Sequence, residues 1–282
     1  MNEFDLGGLA GLFDRMLRLE FEYANYDNLA TIGGRSHADE EETQMAYSAM
    51  TEAQKFCEVQ QFAAAHEVIS RIVNGWEYGT WEYNKRDFAA IATELRHARE
   101  SISDELNKRT FISIEYDRRL FVNDVERMGP GVTTAFRSAI QDIYEAGNCF
   151  AAECNTAAVF HLMRVVEWGL RALCIHLGLR RAKRTQKGKK KYVPIAYTDW
   201  ETMLNQLPDL VDKKINKLKR GKAKQDAQEF YYPVLQDIRA IRDAWRNHVM
   251  HTRATYTRED AAAILSHVQR IMTKLAGRVR EQ

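Results

Sequence analysis

Proline is nearly missing from this chain: four residues in 282, all at position 130 or later. Glycine is sparse as well, at fifteen. So few breakers over so long a sequence favour long helices over a fold of many strands and turns. Cysteine is limited to Cys57, Cys149, Cys154 and Cys174. In a chain of this size that reads as unexported, they are expected to be reduced thiols rather than a disulfide framework. Cys149 and Cys154 lack the C-x-x-C spacing of a zinc site, so no metal is expected, and no cofactor motif is present. No apolar run reaches eighteen residues, which argues against a membrane-spanning helix. The opening MNEFDLGGLAGLFDR has no basic stretch ahead of a short, glycine-broken apolar segment. It does not read as a secretory signal, and the expected location is the cytoplasm.

What is present is a full hydrophobic complement, 45% of residues, beside 28% charged ones. That suits a globular protein, and the length favours two domains over one. The net charge of +2 conceals a strong asymmetry. Residues 180–224 carry fifteen Lys or Arg against four Asp or Glu, leaving the remainder of the chain at −9. Such a segment fits a polyanion partner or a solvated loop, and composition alone leaves both open.

Apolar periodicity lays out the helices. An amphipathic helix spans 9–27 and is closed by Gly33-Gly34. Ser36 is a candidate N-cap, with Asp39, Glu40 and Glu41 in the following turn, for one long helix reaching Val73. Phe56, Val59, Phe62, Ala63, His66 and Ile69 form its buried face. Trp76, Tyr78, Trp81 and Tyr83 then crowd one loop, more simply as a plug at the end of a helical hairpin than as a stacking platform. A third helix runs 86–107, with Phe88, Ile91, Leu95, Ile102 and Leu106 inward. Phe111–Ile114 and Leu120–Val122 are short apolar pieces that either pair as a small hairpin near 110–122 or anchor a loop. Gly129-Pro130-Gly131 marks the expected boundary between an N-terminal helical domain, 1–129, and a second helical domain, 130–282.

Beyond it come helices near 132–147 and 150–177, the latter stopped by Gly178. Glu167 and Arg171 are four apart and can pair on its surface. Arg180–Lys191 reads as a loop, followed by short helices over 199–207 and 210–219. A helix over 229–252 and a last one opened by Thr257 and Asp260 complete an all-α fold.

In the 229–252 helix, Val234, Ile238, Ile241, Trp245 and Val249 account for the packing. Asp243, Asn247 and His251 make a second stripe, with Arg246 beside it. Taken alone, such a row is most simply a solvated face. His248 lies nearer the apolar stripe and is expected to pack, and His161 and His176 are expected to be structural.

Arg246-Asn247 followed by His251 has the R-N-x-x-x-H spacing that resembles the motif of the HEPN superfamily. An Ala-rich helix bearing Glu167-x-x-x-Arg171 precedes it, and an amphipathic helix closes it. This order resembles a bacterial family with a C-terminal HEPN-like domain, over roughly 132–282. The resemblance implies a helical bundle acting as a metal-independent endoribonuclease, with a toxin or antiviral role as the expected setting, and usually dimeric. Arg246 and His251 would then be catalytic, with Asn247, Asp243 and Glu167 in support. Arginine suits a phosphate through its planar fork, and histidine suits proton transfer near neutral pH. On one regular helix Arg246 and His251 point about 140° apart, so a composite site across a two-fold axis is expected. RNA would be held by Arg180, Arg181, Lys183, Arg184, Lys187, Lys189, Lys190 and Lys191, and by a second patch of Lys213, Lys214, Lys217, Lys219 and Arg220. An antitoxin or other regulatory protein is a further candidate partner. The competing expectations are a non-catalytic HEPN dimer that binds nucleotide, RNA or protein, and a regulatory subunit whose basic loop contacts DNA.

Overall fold

The computed structural model describes residues 4–30, 37–77, 87–186, 189–250 and 255–281. The chain divides into two compact units, Asn2–Phe111 and Ile112–Gln282. Both are helical, and among the described residues no helix is long and apolar enough to cross a membrane.

The N-terminal unit consists of α1 (Leu6–Ala30), α2 (Glu40–Val59), α3 (Ala63–Glu77) and α4 (Phe88–Asn107). Met16, Tyr23, Met50, Phe62, Ile69, Phe88 and Leu95 lie in its core. The cap of α2 is Asp39: its carboxylate accepts from the Glu42 N–H, and the Glu42 side chain accepts from the Asp39 N–H. Ser36, expected there, lies outside the described residues.

The single long helix expected to reach Val73 is instead two. Gln61 takes a left-handed conformation, φ 56°, and the Phe62 N–H closes back on the Cys57 carbonyl at 2.8 Å. This is the closing bond of a helix end that usually carries glycine. The break re-phases the expected apolar face, so Phe62 and Ile69 are buried while Val59 and Ala63 are exposed. Trp76 belongs to α3, is buried and donates its indole N–H to Glu94 at 2.7 Å. Tyr78, Trp81 and Tyr83 lie outside the described residues.

Residues 112–128 belong to the C-terminal unit and anchor it by side chains rather than by strands. Leu120 and Phe121 sit in a short 3-10 turn, Arg119–Phe121, and the Phe121 ring meets Phe150 edge-on at 4.9 Å. The Arg118 guanidinium is buried and donates to the Phe150 carbonyl at 2.9 Å. Gly129-Pro130-Gly131 is therefore an internal turn, not the boundary between the units. Gly129 adopts φ 122°, and a Cβ there would lie 2.0 Å from Thr273 Oγ1. Only glycine fits that approach.

The rest of this unit runs α5 (Val132–Ala135), α6 (Ile140–Ala151), α7 (Asn155–His176), a hairpin of β1 (Arg181–Gln186) and β2 (Lys189–Pro194), α8 (Trp200–Asn216) and α9 (Lys222–Ile241). A π-helical turn, Arg242–Arg246, then leads into α10 (Asn247–Met250), and α11 (Arg258–Ala276) follows. Helix α7 is the axis of the unit, with α6 and α11 packed along it. Gly169 lets α11 approach: a Cβ there would lie 2.8 Å from Met272 Sδ. The expected α11 cap is present, Thr257 and Asp260 bonding each other's backbone N–H.

Three local expectations change. The small hairpin is formed by residues 181–194 rather than by 110–122, and the basic stretch expected as a loop supplies its strands. Helices over 199–207 and 210–219 are one helix through Pro208. An internal proline costs roughly 3 kcal/mol; here the buried face of Trp200, Met203, Leu204, Leu207, Val211 and Ile215 outweighs it. Finally, the helix expected from 229 begins at Lys222 and widens at Arg242.

Candidate functional site: an arginine cleft at the π turn

The π turn holds the candidate motif. A π turn closes its hydrogen bonds one residue later than an α turn and is often found at functional sites. Here it changes the phase assumed for a regular helix. Trp245 is half-buried, with its ring edge-on to His267 at 5.5 Å. Its carbonyl accepts from the Tyr256 hydroxyl at 3.3 Å. Val249 is buried, whereas His248, expected to pack, is exposed.

On the other side, Arg242, Asp243 and Arg246 line a cleft of about 520 Å³ together with Asp199, Trp200, Glu201, Thr202 and Arg184. Three separate parts of the chain meet there. Asp199 caps α8, accepting from the Thr202 N–H at 2.8 Å and its hydroxyl at 3.0 Å. That cap fixes the first turn of the helix and brings Trp200 to the cleft floor. Gln206, on the same helix, bonds the Lys183 N–H at 2.9 Å and the Lys183 carbonyl at 3.2 Å. The hairpin is thereby tied to α8, and the next residue, Arg184, reaches the cleft.

The six charged groups of the lining are not equivalent. Asp243 takes Nε and Nη2 of Arg242, each at 2.7 Å, and this bonding lowers its carboxyl below the usual range. Burial alone would raise the Asp199 carboxyl, but hydrogen bonds from Thr202 and the charge of Arg184 bring it below the usual range. Arg246 differs: among the described residues it has no carboxylate partner. Its guanidinium carbon lies 5.6 Å from the centroid of the Trp200 ring.

That ring is anchored from behind. The Trp200 indole N–H donates to Glu167 at 2.8 Å, and the other Glu167 oxygen accepts from Arg171. Glu167 and Arg171 are each less than a quarter exposed on their side chains, so they are not the surface pair expected from the sequence. Arg171 in turn lies over the Trp168 ring at 5.1 Å. Trp168 donates its indole N–H to the buried Asp142 at 3.0 Å. Asp142 also accepts from Arg164 at 2.6 Å and sits 3.1 Å from His161 Nδ1. Burial would raise the Asp142 carboxyl, but these three bonds hold it below the usual range. A polar chain thus runs through α6, α7 and α8 to the arginine at the surface.

Of the residues expected at the site, Arg246, Asp243 and Arg184 line the cleft, and Glu167 supports its floor. Asp243 is engaged by Arg242. Asn247 opens α10, and His251 lies outside the described residues. Arg180, Arg181 and Lys183 are exposed around β1, while Lys189, Lys190 and Lys191 belong to β2. Lys187 lies outside the described residues. Lys213, Lys214, Lys217, Lys219 and Arg220 cluster at the opposite end of α8, roughly 20 Å away at 1.5 Å per residue. The basic segment is therefore two separate surfaces, and only the hairpin adjoins the cleft. Sequence reading missed Trp200, Arg242 and Thr202. Among the described residues no cluster of His, Cys, Asp and Glu could hold a metal ion.

No family model, curated protein or solved structure matches the chain.

Proposed function

We propose that the C-terminal unit binds RNA in the Arg246 cleft and cleaves it as a HEPN-type, metal-independent endoribonuclease. The observation that supports this is the Arg246 guanidinium, set on Trp200 without a carboxylate partner among the described residues, in a cleft shared with Arg184. A planar guanidinium that no carboxylate engages keeps its N–H fork for two oxygens of one phosphate. In the reaction, the 2′-hydroxyl passes its proton to solvent water as its oxygen attacks phosphorus, and the bond to the 5′-oxygen breaks. Arg246 neutralises the charge that builds on the phosphoryl oxygens. His251 delivers the proton that the leaving 5′-oxygen needs, a role that rests on the R-N-x-x-x-H resemblance. The products are a 2′,3′-cyclic phosphate and a 5′-hydroxyl. The same resemblance supports a homodimer in which two motif helices complete one site.

The test is incubation of the full chain with an RNA panel in EDTA, followed by analysis of the ends. Cleavage to cyclic phosphate that is lost in both Arg246→Ala and His251→Ala supports the reading. Undiminished cleavage in both variants rejects the site.

A second reading, a non-catalytic HEPN module that binds nucleotide, RNA or protein, draws on the carboxylates of Asp199, Glu201 and Asp243 in the same lining. They repel a long polyanion more than a single phosphate group. Under this reading Arg246→Ala weakens binding, and no RNA in the panel is cut.

A further inference from the structure

The hairpin has two faces, and only one meets the cleft. Its register pairs Ala182 with Val193, Lys183 with Tyr192, and Arg184 with Lys191. Directly opposed residues share a face, and faces alternate along a strand. Ala182 is completely buried, so the Ala182–Val193 and Arg184–Lys191 pairs face the body of the unit and the cleft. Arg181, Lys183, Tyr192 and Pro194 stand on the other face, and all four are exposed.

On that outer face the backbone brings a cation and an aromatic ring together. Lys183 gives both its N–H and its carbonyl to Gln206, so it has neither left for β2. Lys183 and Tyr192 are therefore a non-hydrogen-bonded pair, the type whose side chains stand closer. The Tyr192 carbonyl, also outside the ladder, accepts from Arg181 Nη2 at 3.0 Å. Tyr192 itself is 56% exposed, and Tyr197, in the 3-10 turn Ile195–Tyr197, is 80% exposed. No acidic residue occurs from Arg180 to Thr198.

We infer that this outer face is a stacking subsite for an unpaired base of a single-stranded nucleic acid. Tyr192 is the platform, and Lys183 and Arg181 take the adjoining phosphates. The identity of the polymer rests on the RNA reading of the cleft. A duplex covers both faces of every base, and the deep, narrow major groove of an RNA duplex does not admit a ribbon. A single strand offers both the ring face and the phosphate. An acidic peptide would satisfy the cations and leave the phenol without a role.

The test measures anisotropy of a short fluorescein-labelled oligouridylate, a blunt RNA duplex and labelled polyglutamate against the full chain over a series of KCl concentrations. Tyr192→Ala weakens single-strand binding about tenfold at every salt and leaves the salt slope unchanged, because stacking releases no counterions. Tyr192→Phe restores the affinity. Lys183→Gln reduces the slope by about 0.7, one phosphate contact on a single strand. Wild-type affinity in Tyr192→Ala overturns the subsite. So does an equal loss on the duplex, or a loss confined to polyglutamate. The two readings fail separately. Arg246-dependent cleavage that ignores Tyr192→Ala rejects the subsite alone; Tyr192-dependent binding without any cleavage rejects the nuclease alone.

Discussion

Arg246 lies over Trp200, and Trp200 is held by Glu167, so the half-buried arginine is backed by a carboxylate one layer further in. Under the proposed function, Arg246→Lys keeps the charge and loses the two-oxygen fork, so cleavage or phosphate-dependent RNA binding should fall about a hundredfold. A Tm change below about 3 °C in the same variant would show that the loss is not one of folding.

Glu167→Ala should act on the fold instead. It leaves the Trp200 N–H and Arg171 without an acceptor, and Arg171 Nε already has none. A loss of about 3 kcal/mol in urea unfolding is expected. Glu167→Gln, which still accepts from Trp200, should recover part of it.

Asp142 is the buried hub of the same polar chain. Asp142→Asn removes the charge that Arg164 and His161 meet, at a cost of about 2 kcal/mol and roughly 5 °C in Tm. Because the folded carboxyl lies below its unfolded value, its stabilisation is complete above that unfolded value, near 4. The stabilisation should disappear as pH falls through the folded value, so wild type and variant should converge in acid.

Two histidines set a milder acid limit. His176 is depressed by burial and then by Lys214, whose Nζ lies 3.3 Å from Nε2; His267 is depressed by burial and Arg270. Their unfolded value is about 6.5. Below it the unfolded chain takes up protons that the folded one refuses, so stability is full above that pH and declines as pH drops toward the folded values. Thermal melts between neutral and mildly acidic pH should show the decline, and His176→Gln should flatten it.

Gly129→Ala should destabilise by about 2 kcal/mol or more, through both the Thr273 contact and the positive φ. Adding Thr273→Ala should remove the contact and leave the backbone strain. Partial, not full, recovery of Tm is the expected result.

The parts legible in the sequence are those written in local periodicity. Phe88, Ile91, Leu95 and Ile102 face inward on α4, the Thr257–Asp260 capping box opens α11, and Gly178 ends α7 with a positive φ. The break at Gln60–Gln61 left no mark, since the residue in the left-handed position is a glutamine. The hairpin escaped because its strands are polar ladders whose composition is that of a solvated loop. The cleft was half legible. Its R-N motif could be read, but its floor comes from residue 200 and its flank from residue 184, and no periodicity links them to residue 246.

Winding supplies the last consequence. With one residue fewer between Arg242 and Arg246, Ile241 and Val249 would stand seven apart, roughly 700° and close to two full turns. Both ends of the helix could then keep their inward side chains, and the stretch between them would run as an ordinary cylinder. The inward phase of Ile241 and Val249 thus does not require the surplus residue. What it adds is girth, on the side where three charged side chains open onto the recess.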